Sequence, residues 1–238
     1  CNRSMRDFLD DAVKLGCSYR LSQLALSSQG FLHDGVVVGS LERLLQELSP
    51  PLCSIHSVKQ YCSSSASAAM LASQTRRADL SGPSLQKIHV QVGTFLAERL
   101  LDEHALHLTR PETFRHVQGT TFQGMTTAGN SVLILALMRG GEPMARGVYE
   151  VFPSAHFYHY WDDDGKNNNE TLQQVCQGKT VTDILIVDSV VNKGGTVRRV
   201  MDHIHSLHGN YRLYVLAAVI QKQAALKLPA EFPRARFF

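Results

Sequence analysis

The sequence predicts an α/β fold: an open, mostly parallel sheet flanked by helices, with an N-terminal helical extension. Three observations predict it. Short apolar runs recur from residue 131 onward, amphipathic helical stretches alternate with them, and several element ends are punctuated by Gly or Pro. Strands with few polar positions are buried on both faces, which is the signature of a parallel sheet covered by helices on each side.

The elements follow in chain order. Ser4 to Leu15 reads as a helix: Ser4 caps, Asp7 follows three residues later, and Met5, Phe8, Leu9, Ala12 and Val13 share one face before Gly16. Ser40 to Leu48 reads as a second helix, stopped by Pro50-Pro51. Residues 62 to 75 are Ser/Ala-rich with few bulky apolar residues, and read as a mobile linker or surface insertion. Leu85 to Leu101 is an amphipathic helix, with Leu85, Ile88, Val92, Phe95, Leu96 and Leu100 on one stripe. Beyond it, Ser131 to Leu137 is a strand, Glu142 to Phe152 a helix and Ala155 to Tyr160 a strand. Ile184 to Val187 is again a strand, Thr196 to Leu207 a helix and Tyr214 to Ile220 a strand. The domain boundary this suggests lies at residue 74, with 1–73 as extension and linker and 74–238 as the α/β domain. No internal repeat is present.

Composition removes several function classes. With 44% apolar and 19% charged residues over 238 positions, the chain can bury a core. The longest apolar runs, Val132 to Met138 and Val215 to Ile220, fall far short of the ~20 residues of a membrane helix. A net charge of +3, spread in short pairs such as Arg76-Arg77 and Arg198-Arg199, gives no concentrated basic face for nucleic acid. Cys1, Cys17, Cys53, Cys62 and Cys176 are odd in number and form no CxxC pair, against a disulfide scaffold or a zinc ribbon. No signal peptide is recognisable, and the expectation is a reduced, cytoplasmic protein, or an excerpt of a longer one.

Chemistry concentrates between Asp183 and Val197. An apolar strand ends at Asp188; Ser189, Val190, Val191, Asn192, Lys193, Gly194 and Gly195 lead to Thr196 and a helix lined by Val197, Val200, Met201, Ile204 and Leu207. Ligands of open α/β sheets bind outside the carboxyl ends of the strands. A glycine loop there lets backbone N–H groups approach an anion, and the helix N-terminus adds partial positive charge. Thr196 adds a hydroxyl, Lys193 a charge, and Asp188 an acceptor for neutral hydroxyls such as those of a sugar. Together they suit a sugar phosphate. The stretch is neither a Walker P-loop nor a dinucleotide Gly-x-Gly-x-x-Gly loop. A plain strand–turn–helix with a Gly-Gly turn is the alternative on spacing alone.

This segment resembles the phosphoribosyl pyrophosphate (PRPP) loop of type I phosphoribosyltransferases, and within them most of all that of uracil phosphoribosyltransferase. That family reads apolar strand, Asp-Pro-Met-Leu-Ala-Thr-Gly-Gly-Ser, helix; Asp188, Gly194, Gly195 and Thr196 fit it, with Thr for Ser. Upstream, Leu135 to Met144 resembles the family's Leu-Arg-Ala-Gly-Glu-x-Met, and Gln74 to Asp79 its Thr-Ser-Arg-Ala-Asp ahead of a long helix. The three matches fall in the family's order over residues 74–238. The resemblance implies that Gly194, Gly195 and Thr196, with Asn192 and Lys193 beside them, cradle the 5′-phosphate of PRPP. It implies that Asp188 binds the ribose hydroxyls, and that Arg139 and the backbone of Gly140 meet the pyrophosphate. Asp188 and Arg139 are the catalytic candidates. It further implies uracil or a similar pyrimidine as acceptor, uridine monophosphate (UMP) and pyrophosphate as products, Mg2+ arriving with PRPP, no protein metal site, and compatibility with a homodimer. No covalent enzyme intermediate is required.

Three departures accompany the resemblance. Asn192 and Lys193 stand where the family has Ala and Thr. Trp161 stands where the family's hairpin carries an Arg, followed by Asp162, Asp163 and Asp164, for which magnesium recruitment, repulsion of PRPP and a solvated hairpin tip stay open. The Gly/Asp-rich segment that holds uracil in the family is missing after Phe237-Phe238, leaving the edge strand expected there incomplete and its apolar residues in want of a partner. Two function readings therefore stand. One is a phosphoribosyltransferase, favoured by the retained loop residues. The other is a non-catalytic PRPP- or nucleotide-binding or assembly module of a longer polypeptide, favoured by Trp161 and the absent segment.

Other candidates are weaker. His156 and His159 project from opposite faces of a strand. His205 and His208, one turn apart on the helix that also carries His203, lack a third ligand, as do His104 and His107. Cys176 has no evident base and reads as a structural thiol. Glu98, Asp102 and Glu103 read as a solvated helix end.

Overall fold

A computed structural model describes residues 58–61, 65–161, 168–177, 180–207 and 209–238. The chain divides into two compact units, Cys1–Ile55 and His56–Phe238. The first unit, with the helices expected over Ser4–Leu15 and Ser40–Leu48, lies outside the described residues, as do Asp162, Asp163, Asp164 and His208.

The second unit runs α1 (Ala66–Thr75), α2 (Gly82–Leu108), β1 (Thr109–Arg115), β2 (Thr121–Thr127), β3 (Val132–Leu137), α3 (Glu142–Val151), β4 (His156–Tyr160) and α4 (Asn168–Gln177). It continues with β5 (Asp183–Val191), α5 (Gly195–Ser206), β6 (Arg212–Ile220), α6 (Lys222–Glu231) and β7 (Arg236–Phe237). Strands β1 and β2 form a separate antiparallel hairpin. The others make a five-stranded sheet in the order β4-β3-β5-β6-β7, every neighbouring pair parallel. The predicted α/β class is thereby observed.

Alternation along β5 explains how the sheet is covered. Ile184 and Ile186 pack with Leu213, Val215, Leu172, Val200, Ile204 and Leu228 on the face carrying α4, α5 and α6. Leu185 and Val187 turn to the opposite face, against Ile134, Leu216, Val92, Leu96, Met144 and Val148 of the α2–α3 layer. Every residue of β3 is buried. A fully buried aliphatic side chain contributes about 1.5–3 kcal/mol of transfer free energy, so these two cores hold the sheet between helices. Helices α2 and α3 approach backbone to backbone: a Cβ on Gly147 would stand 1.9 Å from the carbonyl oxygen of Val90, and one on Gly93 1.9 Å from that of Met144. At the N-terminal ends of β5 and β6, the fully buried carboxylate of Asp183 accepts hydrogen bonds from Arg212 Nε at 2.7 Å, Arg212 Nη2 at 2.6 Å and the Thr182 hydroxyl at 2.6 Å. A buried charge needs such compensation.

The structure corrects two expectations. The Ser/Ala-rich stretch read as a mobile linker contains α1: Ser65 caps it, its hydroxyl accepting from the Ala68 N–H at 3.3 Å, and Ala68 is buried. Alanine needs no apolar stripe to favour a helix. Phe237 and Phe238 are not left without a partner; β7 pairs with β6, and both rings are buried, at 2% and 5% exposure. No helix among the described residues is long and apolar enough to cross a membrane.

Candidate functional site

Three segments meet at the C-terminal ends of the central strands. Strand β5 runs further than its apolar run suggests, carrying Asp188 and Ser189 as strand residues before ending at Val191. Asp188 is partly buried, and its carboxylate accepts hydrogen bonds from the backbone N–H groups of Ser189 and Val190. Burial disfavours the charged form and dominates over those bonds, so its pKa is pushed up to about 6.

The loop after β3 presses against this strand end. The Met138 N–H donates to the Tyr160 carbonyl at 2.8 Å, the Met138–Arg139 peptide is cis, and the Gly141 N–H donates to the Leu137 carbonyl at 2.8 Å. A Cβ on Gly140 would lie 2.9 Å from Ser189 Oγ and 3.7 Å from Asp188 Oδ1. One on Gly141 would lie 2.3 Å from the Val187 carbonyl oxygen. Glycines at both positions let the backbone approach Asp188 closely. Arg139, exposed, projects from the same loop. Strands β3 and β5 are adjacent and in register, so Arg139 and Gly140 emerge beside Asp188. Strand β4 flanks β3 on its other side, pairing Tyr160 with Leu137, and Trp161, 43% exposed, follows directly.

The third segment opens α5. Gly194 caps the helix at φ 77°, a left-handed conformation that favours glycine, and its carbonyl accepts the helix's first bond from the Arg198 N–H at 2.9 Å. A Cβ on Gly194 would point into Leu228 of α6, at 2.9 Å from Cδ1. The need for glycine at 194 is therefore backbone conformation and core packing, rather than approach of a ligand. Gly195 differs: a Cβ there would meet the end of the Arg199 side chain, Nη1 at 3.5 Å, and not the core. Thr196 follows at the helix start. Asn192 is turned sideways, its Oδ1 accepting from Gln221 Nε2 at 3.2 Å, while Lys193 is exposed. One turn on, Arg199 donates through Nη2 to Thr196 Oγ1 at 3.4 Å. The i, i+3 spacing of Thr196 and Arg199, with helical side chains leaning toward the N-terminus, brings the two together.

The Gln74–Asp79 segment sits at the end of α1. Arg77 donates to Asp79 through Nε at 2.9 Å and through Nη2, and to Gln74 Oε1 at 3.3 Å. Arg76 instead lines a cavity of about 250 Å³, with Lys59, Phe95, Val219 and Phe238 among its walls. Ala217 on β6, also on that wall, is the register partner of Asp188. The cavity is thus walled by β6, which flanks β5 on the side away from β3.

Among the other sequence candidates, Cys176 is buried in the core, and burial pushes its thiol up to about 11, as expected of a structural thiol. Among the described residues, no three His, Cys, Asp or Glu side chains are grouped to hold a metal ion.

No curated protein matches the chain. Among solved structures, the AQ2163 protein from Aquifex aeolicus superposes with a TM-score of 0.58 at 19% identity, covering 72% of this chain and 81% of that one, which shows a shared fold. The HGPRT-ase from Leishmania tarentolae in complex with GMP aligns over 68% of this chain and 94% of that one at 10% identity and a TM-score of 0.35, too distant to carry argument. The family model described as uracil phosphoribosyltransferase matches residues 62–238, α1 included. An all-parallel five-stranded sheet, a glycine loop opening α5 beside Asp188 and a match across three quarters of the sequence lead to one conclusion: the chain belongs to the uracil phosphoribosyltransferase family.

Proposed function

We propose that this domain transfers the phosphoribosyl group of PRPP to uracil or a similar pyrimidine, giving UMP and pyrophosphate. The observation that supports it most is the approach of the Gly140 backbone to Asp188 at the strand ends, with Gly195 and Thr196 at the start of the following helix. Asp188, ionised above its pKa of about 6, accepts hydrogen bonds from the ribose hydroxyls. The N–H groups of the Gly194–Thr196 turn and the N-terminus of α5 hold the 5′-phosphate. Arg139 and the Gly140 backbone meet the pyrophosphate on the β3 side.

The ring nitrogen forms a bond to the anomeric carbon while the carbon–oxygen bond to pyrophosphate breaks; the ring proton leaves to solvent. Fixing the ribose between Asp188 and the phosphate turn supplies orientation, and Arg139 offsets the negative charge that builds on the leaving group. The groups present fit a magnesium ion carried by the ligand's own oxygens, which would supply further charge neutralisation there.

The decisive experiment is calorimetric titration with PRPP and magnesium, followed by an assay for UMP from uracil. Saturable binding lost in Asp188→Asn, together with uracil-dependent release of pyrophosphate, is the expected result. Binding without release selects the second reading, a non-catalytic PRPP- or nucleotide-binding or assembly module. Trp161 favours that reading, because an indole at this strand end supplies no charge to a pyrophosphate. No binding at millimolar PRPP overturns both ligand-based readings.

A further inference from the structure

The cavity between α1, α2 and β6 has no part in the phosphoribosyl reading. Its walls are apolar: Leu71 of α1, Val92, Phe95 and Leu96 of α2, Val219 of β6, and Phe238. Its volume of about 250 Å³ is that of about eight waters at roughly 30 Å³ each, and lies below the roughly 300–1,000 Å³ of sites for drug-sized ligands. A body of one or two rings fits it. The walls are held before any ligand arrives. The Arg99 guanidinium lies over the Phe95 ring, 5.4 Å from its centroid, and Tyr61 meets that ring edge-on with centroids 5.9 Å apart. The Tyr61 hydroxyl donates to Glu103 at 2.6 Å, and the Lys59 N–H donates to the Phe237 carbonyl at 2.8 Å. Such preorganisation lowers the ordering cost of binding. Charge at the cavity is one-sided. Among the described residues that line it, Lys59 and Arg76 are cationic and none is a carboxylate. Lys59 is answered from outside the lining, by Glu103 at 2.6 Å. Arg77 is committed to Asp79 and Gln74. Arg76, fixed at the end of α1 by its backbone N–H on the Ser73 carbonyl at 3.3 Å, brings its charge to the cavity instead.

We propose that this cavity is a second binding site, for a compact aromatic carboxylate whose ring lies among α1, α2 and β6 and whose charge is held by Arg76. The proposal goes beyond the phosphoribosyl reading and does not rest on it. Apolar walls favour the ring by removing its surface from water. The guanidinium matches a carboxylate two oxygens at a time, which lysine does not. One arginine suits a single negative charge; a phosphate monoester carries about −1.5 to −2 and calls for more donors. Arg76 is exposed, so its replacement should leave the fold intact.

The test is calorimetric titration with indole-3-carboxylate and with its neutral counterpart indole-3-carboxamide. The proteins are wild type, Arg76→Gln, Arg76→Lys, Ala72→Phe and Asp188→Asn, with thermal melts verifying folding. Ala72 is half-buried and lines the cavity, so a phenyl ring there occupies it. Wild type should bind the carboxylate saturably and about 10- to 100-fold more tightly than the carboxamide. Arg76→Gln should erase that preference by weakening the carboxylate alone, and Arg76→Lys should keep part of it. Ala72→Phe should abolish binding of both, and Asp188→Asn should bind both as wild type does. No saturable binding of the carboxylate to wild type at millimolar concentration overturns the proposal. So does equal affinity for the two compounds, or wild-type affinity for the carboxylate in Arg76→Gln. Binding lost in Asp188→Asn but kept in Ala72→Phe places the compound at the end of β5 and also overturns it. PRPP titrations of the same proteins decide the phosphoribosyl reading separately. A melt showing that Ala72→Phe does not fold transfers the blocking criterion to Ala72→Leu.

Discussion

At the scale of single residues, Asp188 carries opposing demands. Binding ribose requires a charged acceptor, while burial raises its pKa to about 6. The folded protein therefore holds this proton at pH values where the unfolded chain has released it. Stability attributable to this group falls as pH rises from the ordinary carboxylate range near 3.8 through about 6. Asp188→Asn removes that slope. The variant should melt at or above wild type at pH 8, and the difference should shrink as pH falls toward 4. PRPP affinity should show the converse, the advantage of wild type over the Asn variant shrinking below pH 6. A parallel pair of melting curves across that range would contradict the burial of the charge. The two glycines of the turn separate in the same way. Gly194→Ala should cost about 1–2 kcal/mol for the left-handed backbone, with a further contribution from crowding Leu228, and should register in denaturant melts. Gly195→Ala should leave stability near wild type and act on PRPP affinity, because the contact its Cβ would make is with the flexible end of Arg199, at 3.5 Å.

At the scale of elements, the site depends on how α3 sits, since α3 begins directly after the Arg139–Gly141 loop. Its approach to α2 is set by glycine. Gly147→Ala would place a methyl group 1.9 Å from the Val90 carbonyl oxygen, backbone that has no rotamer to yield. The expected cost is about 3 kcal/mol or more, at or beyond ordinary overpacking, measured as a drop in denaturant midpoint; a change under about 0.5 kcal/mol, the range of an ordinary surface substitution, would mean that the helices slide freely. The elements legible in the sequence are those whose apolar period is strong, such as Val132 to Leu137 and the Val197–Ile204 stripe of α5. Those that were not legible lack such a period. Thr109 to Arg115 holds Thr, Arg, Pro and Glu in a half-exposed hairpin, and α6 contains Pro229, which argues against a helix from sequence alone. Residues Asp188 to Val191 belong to β5, although polar side chains break its apolar run. The site divides likewise: Asp188, Gly140 and the glycine turn announce themselves by residue type, whereas the close approach of Gly140 to Ser189 and Asp188 becomes visible only once β3 and β5 are paired. The bond of Asn192 to Gln221 was not legible, because it joins segments nearly thirty residues apart.

At the scale of the whole molecule, the segments of the site come from separate strands and are held together by folding alone. Asp188 and Gly194–Thr196 follow β5, Arg139 and Gly140 follow β3, and the cavity beyond Ala217 is walled by β6, α1 and α2. An unfolded chain presents none of this arrangement, so a ligand that bridges the segments binds the native state and raises the free energy of unfolding by mass action. At a free PRPP concentration of 100 times its dissociation constant that increment is about 2.7 kcal/mol, which for a domain of this size corresponds to a rise in melting temperature of about 5–10 °C. The rise should grow with the logarithm of PRPP concentration, fall below about 2 °C in Asp188→Asn at the same concentration, and persist in a variant of the buried thiol such as Cys176→Ala, which lies in the core away from the site. The Cys176 variant starts from a lower melting temperature, yet its ligand-induced increment should equal that of wild type, because the increment depends on the affinity of the folded site and not on the stability of the scaffold. An increment reduced in proportion to scaffold stability would show that core and site are thermodynamically coupled. A rise of the same size in Asp188→Asn would show that PRPP binds this unit somewhere other than the end of β5.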